Sequence, residues 1–346
     1  MVDVEKLADE VLEFYAKKIE TNYRIGVVIV GPPGSGKSTI ANQLRDTINA
    51  RYAQYMSGHS VPIFSQVSTT GKNFLDNANY LVSDLKEALE CQKETLSENE
   101  GTIPEVIENH AFKPVKITGH DSITVVGRGG ISNAIKISPP TSESDDKCGN
   151  MVEVIPMDGF HLTRRCLDNF VDPSTAHKRR GSPSTFDSNN FLQLIRIVSK
   201  TMTISPPDFK KQPNILNNIS QTTRNDLPTI YVPGFDHSFK DPTPDQYCIS
   251  SSARILIIEG LYLFHDDENW KEVYPTLERT KAVFPCYIEI DLEAIETRIA
   301  KRHLRSGLVD TLEAGREKCR ENDLLNAQLV IAKKMEINGV HMLRND

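Results

Sequence analysis

The residues between positions 31 and 39 have the types and the spacing that bind phosphate groups. Gly31, Gly36, Lys37 and Ser38 occupy the fixed positions of the pattern G-x-x-x-x-G-K-[ST]. Glycines let backbone N–H groups turn toward a phosphate, a lysine here reaches the β and γ phosphates, and the hydroxyl binds Mg²⁺. The pattern predicts a nucleoside triphosphate site with Mg²⁺, formed by Gly31, Pro32, Pro33, Gly34, Ser35, Gly36, Lys37, Ser38 and Thr39.

Two elements must flank this loop if it is to hold a nucleotide. The apolar run at 25–30 is typical of a buried parallel strand, and a helix that begins at Lys37 places Ile40, Leu44 and Ile48 on one face. A glycine-rich turn that only reverses the chain is the alternative, but it leaves the order of strand, loop and helix unexplained. We therefore expect the phosphates to lie at the N-terminus of this helix.

Polar side chains follow three further predicted strands. Asp158 comes directly after the strand at 152–157, Glu259 follows the strand at 254–258, and Asp236 and His237 follow the strand at 229–233. Because ligands bind at the carboxyl ends of strands in open α/β sheets, we expect these groups to converge on the γ-phosphate. Asp158 could act as the base that deprotonates an acceptor hydroxyl, or it could cap a helix. Glu259 could bind Mg²⁺ through water or support the base, or it could be a turn residue.

Two basic clusters are candidates for neutralising phosphate charge. Arg298, Arg302 and Arg305 are spaced so that they share one face of a helix, and arginines there could stabilise a transferring phosphoryl group. The run 178–180 could bind an anionic acceptor. In both cases a solvated basic surface is the competing interpretation.

The composition limits the classes of partner and compartment. The 346 residues carry a net charge of −7, which argues against a general nucleic-acid binder. No apolar run reaches the roughly 18 residues that would span a bilayer, so we expect no transmembrane segment. Six cysteines without a C-x-x-C pair predict a reducing compartment, with neither a disulfide framework nor a zinc site. We expect a cytoplasmic protein.

The order of predicted strands and helices indicates an α/β fold with a parallel sheet and helices on both faces. We expect a single P-loop domain over residues 1–346. Two stretches exceed what that fold needs: 51–150, an inserted subdomain or lid extension, and a smaller insertion at 205–225.

Five blocks of sequence resemble one family. The blocks MDGFH (157–161), RRGSPSTFD (179–187), VPGFDH (232–237), IIEGLYL (257–263) and RHLRSGL (302–308), the last with ENDLLNAQLV (321–330), resemble the phosphoribulokinase, uridine kinase and bacterial pantothenate kinase family. The long insert after the P-loop helix is similar to that of the fungal ATP-dependent kinases in this family.

The resemblance implies ATP and Mg²⁺, with phosphoryl transfer to a hydroxyl of a small metabolite. It places the catalytic base at Asp158, the acceptor pocket at Arg180, Asp187 and His237, and lid residues at Arg302 and Arg305. Residues 51–150 have no counterpart in the bacterial relatives, and 205–225 also looks extra. The acceptor therefore cannot be carried over by analogy.

Two other functions compete with a small-molecule kinase. A GTPase would carry an N-K-x-D tetrapeptide, which the sequence lacks. A nucleotide-binding scaffold with lapsed catalysis, whose insert binds a protein partner, is the second alternative. The joint presence of Lys37, Asp158 and the arginines counts against lost catalysis.

Overall fold

A computed structural model describes residues 2–58, 114–140, 149–236 and 238–345. Its strands are β1 (Ile25–Val30), β2 (Val115–Thr118), β3 (Ile123–Gly127), β4 (Gly130–Ser138), β5 (Val152–Pro156), β6 (Thr229–Asp236), β7 (Asp241–Ile249), β8 (Ile255–Gly260), β9 (Val283–Glu289) and β10 (His341–Arg344). Its α-helices are α1 (Val4–Lys18), α2 (Lys37–Ser57), α3 (Arg164–Leu167), α4 (Pro173–Lys178), α5 (Ser188–Met202), α6 (Ile215–Gln221), α7 (Val273–Glu278), α8 (Leu292–Arg305), α9 (Leu312–Lys318) and α10 (Leu324–Ala332). Met157–Phe160, Pro183–Thr185 and Glu268–Glu272 are 3₁₀ turns, and Cys319–Asp323 is a π-helical turn between α9 and α10.

The first sheet is parallel throughout, in the order β10-β9-β1-β8-β5. All residues of β1 and β8 are buried, as expected for strands covered on both faces. Helices flank this sheet: the Phe14 ring of α1 lies 5.5 Å from Phe284 of β9, and Met202 of α5 packs against Gly26 of β1. The predicted α/β fold with a parallel sheet is confirmed.

The second sheet is antiparallel, in the order β2-β3-β4-β6-β7. Its presence corrects the expectation that the strand before Asp236 is a neighbour of the P-loop strand. That strand is β6, and it pairs with β4 and β7 instead. Asp236 therefore lies in the other sheet, where its carboxylate accepts the backbone N–H of Ser238 at 2.7 Å.

Strand β7 contains two prolines although it is part of a sheet. Pro242 and Pro244 lie within it, and β7 is the last strand of its sheet. An edge strand tolerates proline because the N–H groups on its open side have no ladder partner to lose.

Both described parts of the stretch 51–150 are integrated into the rest of the fold. Helix α2 continues to Ser57, so the predicted boundary at 51 falls within a helix. Ile123, Val125, Ile135 and Ile137 of β3 and β4 are buried in the same core as the parallel sheet. The division into one domain with insertions at 51–150 and 205–225 stays a prediction.

Within the described ranges no helix is long and apolar enough to cross a bilayer. Cys166, Cys286 and Cys319 are free and buried, whereas Cys248 in β7 is disulfide-bonded. One bonded cysteine is not a disulfide framework, so the predicted reducing compartment and cytoplasmic location stay predictions.

Candidate active site

The phosphate loop joins the end of β1 to the start of α2. Gly34 and Gly36 have φ of +74° and +91°, a left-handed conformation that glycine adopts without strain. Gly36 is the N-cap of α2, so the loop leads directly into the positive end of the helix. The Lys37 side chain folds back over the loop, where its Nζ donates to the carbonyl of Pro32 at 3.0 Å.

Strand pairing brings the two predicted carboxylates next to the loop. Glu259 is opposite Ile29 of β1 and opposite Pro156 of β5, and Asp158 follows Pro156 by two residues. The hydroxyl of Ser38 donates to Glu259 Oε1 at 3.0 Å. The parallel register thus places Ser38, Asp158 and Glu259 at one edge of the sheet, as the sequence analysis expected for these three residues.

Burial sets the electrostatics of this edge. Desolvation lowers the pKa of Lys37, opposed by the charges of Glu259 and Asp158. Desolvation also raises the pKa of Glu259, and the Asp158 carboxylate raises it further, while Lys37 opposes the change. A cation bound between the two carboxylates would relieve the repulsion that raises the pKa of Glu259.

The residues at this edge fit Mg²⁺. The ion prefers hard oxygen ligands, and in phosphate sites it binds one or two carboxylates together with substrate phosphates and water. Ser38 Oγ and Glu259 Oε1 supply two such oxygens 3.0 Å apart, and Asp158 supplies a third group nearby. No cluster of three or more His, Cys, Asp or Glu is present in the described part of the chain, so an all-protein cage is absent there.

The carboxylate of Asp158 is exposed enough to contact a bound molecule. Its side chain is 43% exposed, and His161 Nδ1 lies 4.0 Å from Asp158 Oδ1. His161 Nδ1 also lies 2.8 Å from the Asp158 carbonyl oxygen, and its ring makes tilted contacts with Phe186 at 4.0 Å and Phe235 at 4.7 Å. These contacts hold the imidazole beside Asp158.

One cavity of about 440 Å³ unites the phosphate loop with residues from the 3₁₀ turn after β5, from β8 and from α8. Of the predicted site residues, those that line it are Pro33, Gly34, Gly36, Lys37, Ser38, Thr39, Asp158, Arg180, Glu259 and Arg302. Residues that the sequence analysis did not assign to the site also line it: His161, Gly181, Leu261, Ile299, Asn322, Asp323 and Asn326. Arg298, considered with the helix arginines, is a lining residue as well.

The basic run 178–180 is held by contacts inside the protein. Arg179 donates to the side-chain oxygens of Asn322 at 2.8 Å and Asn326 at 2.9 Å, which ties the loop to the segment around α10. Arg180 pairs with Asp241 Oδ1 at 2.7 Å and donates to the carbonyls of Leu162 and Lys240. Burial lowers the pKa of Arg180, and the contact with Asp241 opposes this. Lys178 Nζ lies 3.8 Å from Glu321, so two of the three charges in this run have an acidic partner.

The helix arginines separate into two groups. Arg298 approaches the Gly34 carbonyl at 3.5 Å, and Arg302 lies 3.4 Å from Asp323 Oδ1 with 61% of its side chain exposed. Arg305, the last residue of α8, is exposed and lies outside the lining of the cavity. The cavity is lined by Arg298 and Arg302 and does not extend to Arg305 at the end of the helix.

Asp187, one of the residues proposed for the acceptor pocket, lies outside the lining of the cavity. Asp187 is fully buried and caps α5: Oδ1 accepts the Asn190 N–H at 3.1 Å and Oδ2 accepts the Gly129 N–H at 2.7 Å. Burial raises the pKa of this carboxyl group, opposed by the Gly129 N–H. Asp187 does not line the cavity, because both oxygens point into these backbone donors. His237 lies outside the described residues.

A turn from the stretch 51–150 supports the segment around Asp158. Asn133 Nδ2 donates to the carbonyls of Gly159 at 2.7 Å and His161 at 2.9 Å. Arg128 donates to the carbonyls of Ser184 at 2.8 Å and Phe186 at 3.2 Å. The only sequence signal for this arrangement was the glycine-rich turn at 127–130, which has no chemistry of its own.

Comparison with known proteins gives a consistent result. No family model matches the chain. The ATP-dependent kinase YFH7 of Saccharomyces cerevisiae is 46% identical over 360 residues, and the protein of the same name from Vanderwaltozyma polyspora is 43% identical over 364, each covering all of both chains. The crystal structure of YFH7 from Saccharomyces cerevisiae, described as a candidate P-loop containing kinase with a circular permutation, matches the whole chain with a TM-score of 0.83 at 45% identity.

Proposed function

This chain belongs to the family of ATP-dependent kinases named YFH7, and on that premise we propose that it transfers the γ-phosphoryl group of ATP to a hydroxyl group of a small metabolite. One observation carries the proposal: Lys37, Asp158 and Glu259 lie at the carboxyl ends of three adjacent parallel strands and line one cavity. Its volume of about 440 Å³ is in the usual range for small-molecule sites.

The phosphate loop and three positively charged side chains bind the triphosphate. Backbone N–H groups of 34–38 surround the β-phosphate, and Lys37 bridges toward the γ-phosphate. Arg298 and Arg302, which line the cavity from α8, stabilise the charge that spreads over the transferred phosphoryl oxygens. Arg305 is proposed as a lid residue that acts only if α8 moves, because the structure places it outside the cavity.

Asp158 is the proposed base. Its partly exposed carboxylate accepts the proton of the acceptor hydroxyl as that oxygen attacks phosphorus. His161 stands behind Asp158 and limits the positions of the carboxylate. Ser38 and Glu259 would hold Mg²⁺, which neutralises charge on the β and γ phosphates when bound.

The acceptor is proposed to lie between Asp158 and the wall formed by Arg180, Asn322 and Asn326. Arg180 is already paired with Asp241, and the neutral carboxamides of Asn322 and Asn326 accept hydrogen bonds from Arg179. Hydrogen bonding to a polar acceptor therefore fits this wall better than attraction to a net negative charge. His237 and Asp187 remain proposed pocket residues only through the family resemblance.

We propose a single P-loop domain over 1–346, with insertions at 51–150 and 205–225, and a cytoplasmic location. No observation favours a scaffold with lapsed catalysis over an active kinase, since Lys37, Asp158 and Glu259 occur together in one cavity.

The test is release of ADP from Mg-ATP by the purified chain. Acceptors to screen are nucleosides, pantothenate, sugars and sugar phosphates, with Asp158→Asn as the matched control. A hit that disappears in Asp158→Asn, while ATP affinity stays unchanged, supports both the reaction class and the base. Loss of ATP affinity in that variant would instead reassign Asp158 to Mg²⁺ binding, and ATP binding without turnover on any acceptor would favour the scaffold.

A further inference from the structure

Asn345, directly after β10, contacts the phosphate loop from the edge of the parallel sheet. Its side-chain Nδ2 donates to the carbonyl oxygen of Ser35 at 2.8 Å, although the two residues are 310 positions apart. The contact is tight, since a Cβ built on Gly36 would lie 2.7 Å from Asn345 Nδ2. Asn345 is therefore packed against the peptide between Ser35 and Gly36.

The register of β10 explains why Asn345 reaches the loop. β10 pairs in parallel with β9 from His341 opposite Cys286 to Arg344 opposite Glu289, and the Asn345 N–H donates to the Glu289 carbonyl at 3.3 Å. β9 in turn is the neighbour of β1. This pairing places Asn345 at the carboxyl ends of the strands, where the loop begins.

A hydrogen bond to the Ser35 carbonyl also orients the next N–H group. In a trans peptide the C=O and the following N–H point in opposite directions, and the described residues contain no cis peptide bond. While the Ser35 carbonyl faces Asn345, the Gly36 N–H faces the opposite side, and Gly36 lines the cavity. Gly36 has a φ of +91°, a region open to glycine in which the peptide could otherwise turn over.

We propose that Asn345 is a positioning residue of the nucleotide site: its carboxamide holds the Ser35–Gly36 peptide so that the Gly36 N–H is directed at the phosphates. The inference rests on the proposed function only in that the loop binds ATP. By linkage, bound nucleotide must also hold β10 in place, because both equilibria share this one contact.

The test compares wild type, Asn345→Ala and Asn345→Asp by titration calorimetry with two probes, Mg-ADP and inorganic tripolyphosphate with Mg²⁺. One neutral hydrogen bond predicts roughly 3- to 10-fold weaker binding of both probes by Asn345→Ala. Asn345→Asp should lose more, because its carboxylate cannot donate and lies close to the phosphates. Met342→Ala is the matched control, since Met342 lies in β10, close to Asn345 along the chain, and is 45% exposed.

A second readout separates positioning from general stability. Hydrogen exchange of the β10 amides should slow when Mg-ADP binds to wild type, and this protection should be weaker in Asn345→Ala. Equal affinity of wild type and Asn345→Ala for both probes would overturn the inference. A loss seen with Mg-ADP and not with tripolyphosphate would overturn it too, since that result assigns Asn345 to the base or ribose. If wild type bound neither probe, the proposed function itself would fail.

Discussion

Replacing Asp187 by alanine separates two roles for this residue, a helix cap and an acceptor contact. The buried carboxylate accepts the N–H groups of Asn190 and Gly129. Loss of the N-cap costs about 1 kcal/mol, and a buried donor without a partner costs about 1–3 kcal/mol. Burial raises the pKa of Asp187, so removal of its charge returns part of this cost. We expect Asp187→Ala to lower the free energy of unfolding by about 2 kcal/mol.

Urea unfolding followed by tryptophan fluorescence measures this loss of stability with a probe close to Asp187. Trp270 is the only tryptophan of the chain, and its ring lies 5.9 Å from Phe186, the residue before Asp187. With ordinary urea dependence, 2 kcal/mol shifts the midpoint by roughly 0.5–1 M. Asp187→Asn is the matched control: its amide oxygen still accepts the Asn190 N–H, so it should lose about half as much.

Affinity for Mg-ADP should be the same in wild type, Asp187→Ala and Asp187→Asn, because the cap does not line the cavity. The reasoning fails if Asp187→Ala keeps the wild-type midpoint and loses turnover. That pair of results would place Asp187 at the acceptor, as the family resemblance implies.

Three further predictions concern phosphate binding, pH and the support of the base. Lys37→Ala should weaken Mg-ADP binding by roughly 10- to 100-fold, as expected for a charge-assisted contact, and unchanged affinity in calorimetry would exclude Lys37 from the site. Burial raises the pKa of Glu153 from 4.5 to about 7, so the folded state of wild type is destabilised as pH rises through that range and the buried carboxyl group loses its proton. The free energy of unfolding of Glu153→Gln, which cannot ionise, should rise relative to wild type by up to about 3 kcal/mol between pH 4.5 and 8 in urea unfolding. A difference between the two proteins that does not change with pH would refute this. Asn133→Ala removes the hydrogen-bond donor of two carbonyls beside Asp158. It should lower the free energy of unfolding by about 2 kcal/mol and slow ATP hydrolysis, with little change in Mg-ADP affinity. The control Ile131→Ala, on the exposed part of β4, should change none of these three quantities.

The parallel sheet could be predicted from the sequence because its strands are continuous apolar runs. β1, β5 and β8 were located to within a residue or two. The second sheet was harder to predict because its strands are short or only half-buried: β2 has exposed and partly exposed positions, and β7 contains two prolines. Whether a strand joins one sheet or the other depends on partners far along the chain, which no local pattern encodes.

In the candidate site, too, local sequence could predict some positions, whereas others depend on residues far along the chain. Residues within one motif or directly after a parallel strand, such as Lys37 and Glu259, were placed correctly because covalent geometry and strand order fix them. The placement of Asp187 away from the cavity lining could not be predicted, because its sequence block shows only its neighbours and one of its two backbone N–H partners is 58 residues away. His161 and Asn322 were overlooked because each reaches the cavity through a contact with a distant loop.

The long-range contacts determine the orientation of groups whose identity the motif already gives. The Gly34 and Ser35 carbonyls are approached by Arg298 and Asn345, and the backbone beside Asp158 by Asn133. Each of these donors comes from a different part of the chain, and each can be removed while the phosphate loop and the base keep their sequence. An intact motif is therefore a necessary condition for phosphoryl transfer and an insufficient one. Because the contacts to the loop and to the base share no residue, their effects on nucleotide affinity and on turnover should add independently in a double variant.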